Sequence, residues 1–192
     1  MIARLRRTEG GYALVEMLTV MSIMGVVLGG LTQVFTTASH ADIDMQNRFA
    51  AQQNTRLALD KFRRDAHCAY DVSPNTPNPW TSARSSVTLK IANCGSDVTW
   101  CTAAMTGYTN RWALYRQSGT SCGSASPAVK VADYLTTSTP FTGFQHGPAT
   151  GQPACNCLAW VTTDFSVGVN RGATTGIYRL QDTIYLRNST RL

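Results

Sequence analysis

Residues 12–35 read YALVEMLTVMSIMGVVLGGLTQVF, and the reading of this stretch decides the fold. From Met17 to Phe35 there are 19 residues without a charge. At ~1.5 Å of rise per residue, that run is close to the ~30 Å hydrocarbon core of a bilayer, so it predicts one membrane-spanning helix. Arg4, Arg6 and Arg7 precede it, a basic flank that stays cytoplasmic while everything beyond Phe35 is exported. Gly25 and Gly29 form a small-xxx-small pair that lets membrane helices pack closely, and Gly30 follows. Glu16 is the anomaly, because a carboxylate costs about 2.5–3.5 kcal/mol at mid-bilayer, and less near an interface. Lipid headgroups would satisfy it. A sharper alternative starts from Gly10 and Gly11 just upstream. A cut after Gly11 leaves an ammonium on Tyr12, four residues before Glu16 and on the same helical face. In a bundle of such helices, one chain's amine would neutralise a neighbour's Glu16.

Residues 6–18, RRTEGGYALVEML, resemble the processing site of the type IV pilin-like proteins. The shared pattern is a short basic leader, Gly before the cut, an aromatic after it, Glu as the fifth mature residue and a long apolar helix. The resemblance covers about 30 residues with that helix. It implies cleavage after Gly11 by the membrane-embedded prepilin peptidase and N-methylation of Tyr12. It also implies a role for Glu16 in assembly with other pilin or pseudopilin subunits, on an inner-membrane assembly platform. The implied location is the bacterial cytoplasmic membrane, single-pass with a cytoplasmic N-terminus, and then a filament in the envelope or outside the cell. The departures are Tyr where Phe is usual after the cut, and Ala-Leu-Val where Thr-Leu-Ile is common. Two other readings compete. Ser39-His40-Ala41 before Asp42 has the small-x-small form of a signal peptidase site, but the apolar run exceeds a usual signal peptide. A permanent signal anchor is the other. Neither accounts for Gly11 beside an aromatic with Glu16 beyond it.

No proline occurs before Pro74, and residues 40–69 are rich in helix formers. The expected organisation is a leader at 1–11, a membrane or filament-core helix at 12–35, an amphipathic continuation at 36–70 and an exported head at 71–192. Ile43, Ala50, Leu57 and Ala58, broadened by Leu59, Phe62, Ala66 and Ala69, predict the buried face of the continuation. Ser73 to Pro79 carries three prolines and ends the helix. Beyond it, alternation at Val87, Leu89 and Ile91 predicts strands, with further candidates at 112–116, 129–135, 160–169 and 177–187. Strands without helices between them predict an antiparallel sheet, hence an α+β fold with a helical spine and a β-rich head. Residues 59–65 and 180–188 also resemble the spine end and final strands of J- or W-type minor subunits.

Cys68, Cys94, Cys101, Cys122, Cys155 and Cys157 all fall in the exported part. In an oxidising compartment they predict disulfides, with pairing left open among the 15 possibilities. Cys94 and Cys101 suit a short loop, Cys68 a staple between spine and head, and Cys155 and Cys157 separate partners. Zinc is a weaker reading, for there is no Cys-x-x-Cys and the histidines lack finger spacing. No metal or cofactor is expected. Neither a His-Glu-x-x-His nor a phosphate-loop motif occurs. Asp164 and Asp182 read as structural or surface aspartates. A structural subunit rather than an enzyme is therefore expected.

Charge is the remaining clue. The 192 residues carry 17 bases and 11 acids, for a net charge of +6, and 14 of the bases are Arg. Loss of residues 1–11 leaves 14 bases and 10 acids. Arg111, Arg116, Arg171, Arg179, Arg187 and Arg191, near Trp112, Tyr115, Tyr178 and Tyr185, suggest phosphate and stacking contacts with DNA. A solvated filament surface explains the same residues more simply. The function expected is a minor pilin or pseudopilin of a pilus, type II secretion or DNA-uptake machine. The alternative is a membrane-anchored or secreted binding protein with DNA as its ligand. Glu16 argues against a K-like tip subunit, a type that usually lacks this residue.

Overall fold

The computed structural model describes residues 14–92, 94–122, 128–147, 157–169 and 176–190. A single 55-residue helix, α1, runs Leu14–Cys68. Eight strands follow: β1 Ala69–Ser73, β2 Ser86–Ile91, β3 Val98–Ala104, β4 Trp112–Ser118, β5 Val129–Leu135, β6 Phe141–Gln145, β7 Trp160–Gly168 and β8 Ile177–Tyr185. The chain divides into two compact units, Met1–Ile43 and Asp44–Leu192.

In the first unit, the helix is long and apolar enough to cross a membrane, and its most apolar window has no residue buried within the chain. Met21 and Phe35 are each 72 % exposed. Its hydroxyls are satisfied from within. Thr19 donates to the Glu16 carbonyl at 2.8 Å, Ser22 to Leu18 at 2.9 Å, Thr32 to Leu28 at 2.8 Å and Thr37 to Gln33 at 2.9 Å. Hydroxyls returned to the helix backbone in this way need no water, as a hydrocarbon environment demands.

The second unit is an antiparallel sheet wrapped over the C-terminal half of α1. The strand order is β1-β2-β3-β4-β5-β7-β6, and β8 lies along β7. β7 is shared because β5 meets it only at Leu135↔Val167, while β6 pairs from Phe141↔Thr163 to Gln145↔Trp160. The helix buries Ala51, Thr55, Ala58, Leu59, Phe62 and Ala66. Phe62 is fully buried at the hub, with ring centroids 5.3 Å from Trp100, 5.6 Å from Phe141 and 6.2 Å from Phe165.

Two expectations need correction. The expected face is buried at Ala58, Leu59, Phe62, Ala66 and Ala69 but not elsewhere: Ile43 and Leu57 are 55 % and 54 % exposed, and Ala50 is exposed as well. Small residues at Ala51, Thr55, Ala58 and Ala66 let the sheet come close, and Thr55 donates back to the Ala51 carbonyl at 2.7 Å. Small residues set the contact distance on that face, and Leu59 and Phe62 fill it. The helix also gives way directly to β1 at Ala69, with the proline-rich loop coming after that strand.

Candidate functional site

The first group of candidate residues lies at the start of α1. Gly11 and Tyr12 fall outside the described residues. Glu16 sits in the first turn and is exposed. An acidic side chain there is favoured by the helix dipole, whose N-terminal end is partially positive. A Cβ added at Gly25, Gly29 or Gly30 would meet nothing within 4 Å. Within one chain these glycines therefore make no close approach.

The second group fastens the end of α1 to the sheet. Asp65 accepts three hydrogen bonds: Trp100 Nε1 at 2.9 Å, Arg116 Nε at 2.7 Å and Arg116 Nη2 at 3.0 Å. That carboxylate raises the Arg116 pKa above its ordinary value, chiefly by hydrogen bonding, against the opposing effect of burial. Arg63 Nε reaches Asp182 at 2.9 Å, and Asn54 donates to Asp133 at 2.8 Å. At the helix terminus Asn188 Nδ2 donates to the Cys68 carbonyl at 3.0 Å, satisfying one of the orphan acceptors of the last turn. Sequence reasoning missed these anchors.

Cys68 pairs with Cys94, with Cα atoms 5.7 Å apart, and so staples the helix end to the β2–β3 connection. Cys101 pairs with Cys122 across 6.4 Å, tying β3 to the segment after β4. The expected Cys94–Cys101 loop is thereby corrected. Cys101 lies inside β3, between Ser86 of β2 and Tyr115 of β4. Cys157 is disulfide-bonded too, and to none of those four. Cys155 lies outside the described residues, so the expectation of separate partners for Cys155 and Cys157 does too.

Among the described residues the arginines are not gathered into a patch. Arg111 is 6 % exposed, Arg116 is held by Asp65, and Arg179 Nε donates to Asp164 at 2.8 Å. Asp164 raises the Arg179 pKa through that hydrogen bond. Arg171 and Arg191 lie outside the described residues. Arg187 is exposed at the end of β8. Asp164 and Asp182 thus serve ion pairs. Among the described residues no group of three or more His, Cys, Asp or Glu is assembled to hold a metal.

Elsewhere, Asp97 ties β2 to β3, accepting from Lys90 Nζ at 2.8 Å and from the Ile91 amide at 2.9 Å. The hydrogen bond from the Lys90 ammonium, followed by that from the Ile91 amide, outweighs burial and lowers its pKa below the ordinary carboxylate value.

Residues 6–32 match the prokaryotic N-terminal methylation motif, the signature of type IV pilins and pseudopilins. No curated protein and no solved structure matches the chain.

Proposed function

We propose that this type IV pilin-like, prepilin-peptidase-processed protein is a minor pilin or pseudopilin, a structural subunit of a filament. The observation that carries the reading is the methylation motif at residues 6–32, running into an apolar helix whose side chains are unburied within the chain. An apolar helix with no internal partner needs lipid before assembly and neighbouring helices after it. The peptidase cuts after Gly11, the new amine of Tyr12 is methylated, and Glu16 pairs with the amine of an adjoining subunit. The antiparallel sheet is carried out of the membrane as the head. Its disulfides suit the oxidising side. The partners are the prepilin peptidase, other subunits and the inner-membrane platform. The arginine disposition weakens the DNA-binding alternative, since Arg111, Arg116 and Arg179 are buried or ion-paired.

The test is the mass of the N-terminal peptide of the membrane-extracted protein. A chain beginning at N-methylated Tyr12 is expected, with the leader retained when a bulky residue replaces Gly11. A terminus at Asp42 would establish a secretory signal peptide instead.

A further inference from the structure

A sheet edge displays unpaired backbone N–H and C=O groups, and folded proteins blunt such edges by shortening, bulging or covering them. Two edges of this sheet are treated so. β1 has five residues and an irregular register between Ala69 and Asp71. The outer side of β6 is covered by the segment before β2. Trp80 N donates to the Phe144 carbonyl at 3.0 Å, Arg84 N to Phe141 at 2.8 Å, and Phe141 N to Arg84 at 3.3 Å.

β8 differs. It has nine residues, without Pro or Lys, in unbroken register with β7 from Trp160↔Tyr185 to Gly168↔Ile177. The Leu186 amide donates to the Ala159 carbonyl at 2.7 Å in the same register. Antiparallel geometry alternates inward and outward backbone groups, so the even-numbered residues bond β7 and the odd-numbered ones face out. Consistent with this, the Tyr185 carbonyl lies 3.3 Å from His67 Nδ1, on the side away from β7. No other strand pairs with β8 among the described residues. Ile177, Arg179, Gln181 and Thr183 thus offer a regular row of donors and acceptors.

The surroundings state what would fit. A groove beside the end of β8 is lined by Arg63, His67, Leu158, Asp182, Tyr185 and Arg187. Its one acid, Asp182, is already held by Arg63. Arg187 meets no carboxylate among the described residues. Leu158, Ile177 and Tyr185 are 38 %, 53 % and 52 % exposed. We propose that β8 is a strand-addition site, at which an extended acidic segment of a different polypeptide pairs along Ile177–Thr183 and sets a carboxylate against Arg187. A second copy is the wrong occupant by charge, because its own β8 brings another unpaired Arg187 and, among the described residues, no free carboxylate, Asp182 being held by Arg63 and Asp164 by Arg179. Main-chain bonds supply affinity in this mode, and side chains supply selectivity. The inference rests on the sheet and not on the filament reading, so either can fail alone.

The test uses the full chain in detergent and three labelled nine-residue peptides, alternating valine with glutamate, glutamine or lysine, read by fluorescence anisotropy. Saturable binding of the glutamate peptide above the other two is expected. Thr183→Pro removes an outward amide while leaving the β7 ladder intact, and should weaken binding roughly tenfold. Thr183→Ala, which keeps that amide, should bind normally, and Arg187→Glu should abolish the preference for glutamate. If Thr183→Pro does not fold, amide exchange of the unaltered chain replaces it, with slowing expected at Arg179, Gln181 and Thr183 on addition of the glutamate peptide. Undiminished binding by folded Thr183→Pro, no slowing at those amides, or no binding near about 1 mM peptide would overturn the proposal. So would a peptide-free dimer abolished by Thr183→Pro, which would make a second copy the occupant. A single-stranded oligonucleotide outcompeting the peptide would reassign the groove to phosphate.

Discussion

Asp65 shows how much one residue can hold. Its carboxylate satisfies the indole N–H of a fully buried Trp100 and two nitrogens of Arg116. Asp65→Ala leaves those donors without an acceptor, and we expect a loss of about 2–3 kcal/mol, read as a lowered melting temperature of the detergent-solubilised chain. A melting temperature within error of the unaltered chain would refute this. Glu16 is the opposite case, exposed at the start of its helix and without a described partner side chain in its own chain. Glu16→Ala should insert and be cleaved normally, because removing a carboxylate eases entry into lipid. Both Glu16→Ala and Glu16→Gln should reduce cross-linking between subunits and incorporation into sheared filaments. Normal incorporation of both would remove the assembly role, and lost cleavage would move it to peptidase recognition. Asp97 carries a pH signature. Its folded pKa lies below the ordinary value of 3.8, so its contribution is present above that value and fades as pH falls through the folded one. The stability gap between the unaltered chain and Asp97→Asn should therefore narrow between pH 7 and pH 3. With both side chains partly exposed, the gap should stay below about 1 kcal/mol. A gap that widens in acid would contradict this assignment.

Among the elements, the helix was the most legible, because 19 uncharged residues admit few other readings. Strands β2, β4, β5, β7 and β8 showed themselves by alternation or apolar runs. β1, β3 and β6 did not. Val98–Ala104 is too evenly buried at its start to alternate, and Phe141–Gln145 has five residues, one of them glycine. Ile43, Ala50 and Leu57 of the expected face of α1 are exposed because burial there follows the shape of the sheet. That gives a direct test. Leu57→Gln should leave the melting temperature nearly unchanged, whereas Leu59→Ala should cost about 2–4 kcal/mol, since Leu59 is 2 % exposed. Equal effects would place the buried face elsewhere. The Cys68–Cys94 and Cys101–Cys122 disulfides reinforce neighbours that the ladders already pair, β1 with β2 and β3 with β4. The Cys68–Cys94 bridge spans 26 residues, and replacing both by serine should cost about 2–4 kcal/mol. Peptide mapping should show Cys68, Cys94, Cys101, Cys122 and Cys157 resisting alkylation until reductant is added. Labelling of any of them in the native state would break the assigned pairing.

In the molecule as a whole, the proposed processing signal is compact in sequence, since Gly11, Tyr12 and Glu16 fall within six consecutive positions. The anchoring contacts are dispersed, and this is why the sequence hid them. Asp65 meets Arg116 across 51 positions, Arg63 meets Asp182 across 119, and Asn188 meets the Cys68 carbonyl across 120. No local periodicity announces pairs so distant. The same separation hid the free edge of β8, a property of what lies beside a strand. The contact of Asn188 with Cys68 also sets a timetable for biosynthesis. A ribosome adding ~5–20 residues per second takes on the order of ten seconds to travel from one partner to the other. The anchor helix is thus made and delivered to the membrane well before the residue that closes its far end exists. Closure of the fold must wait for nearly the whole chain, and the nascent sheet edges stay unsealed during that interval.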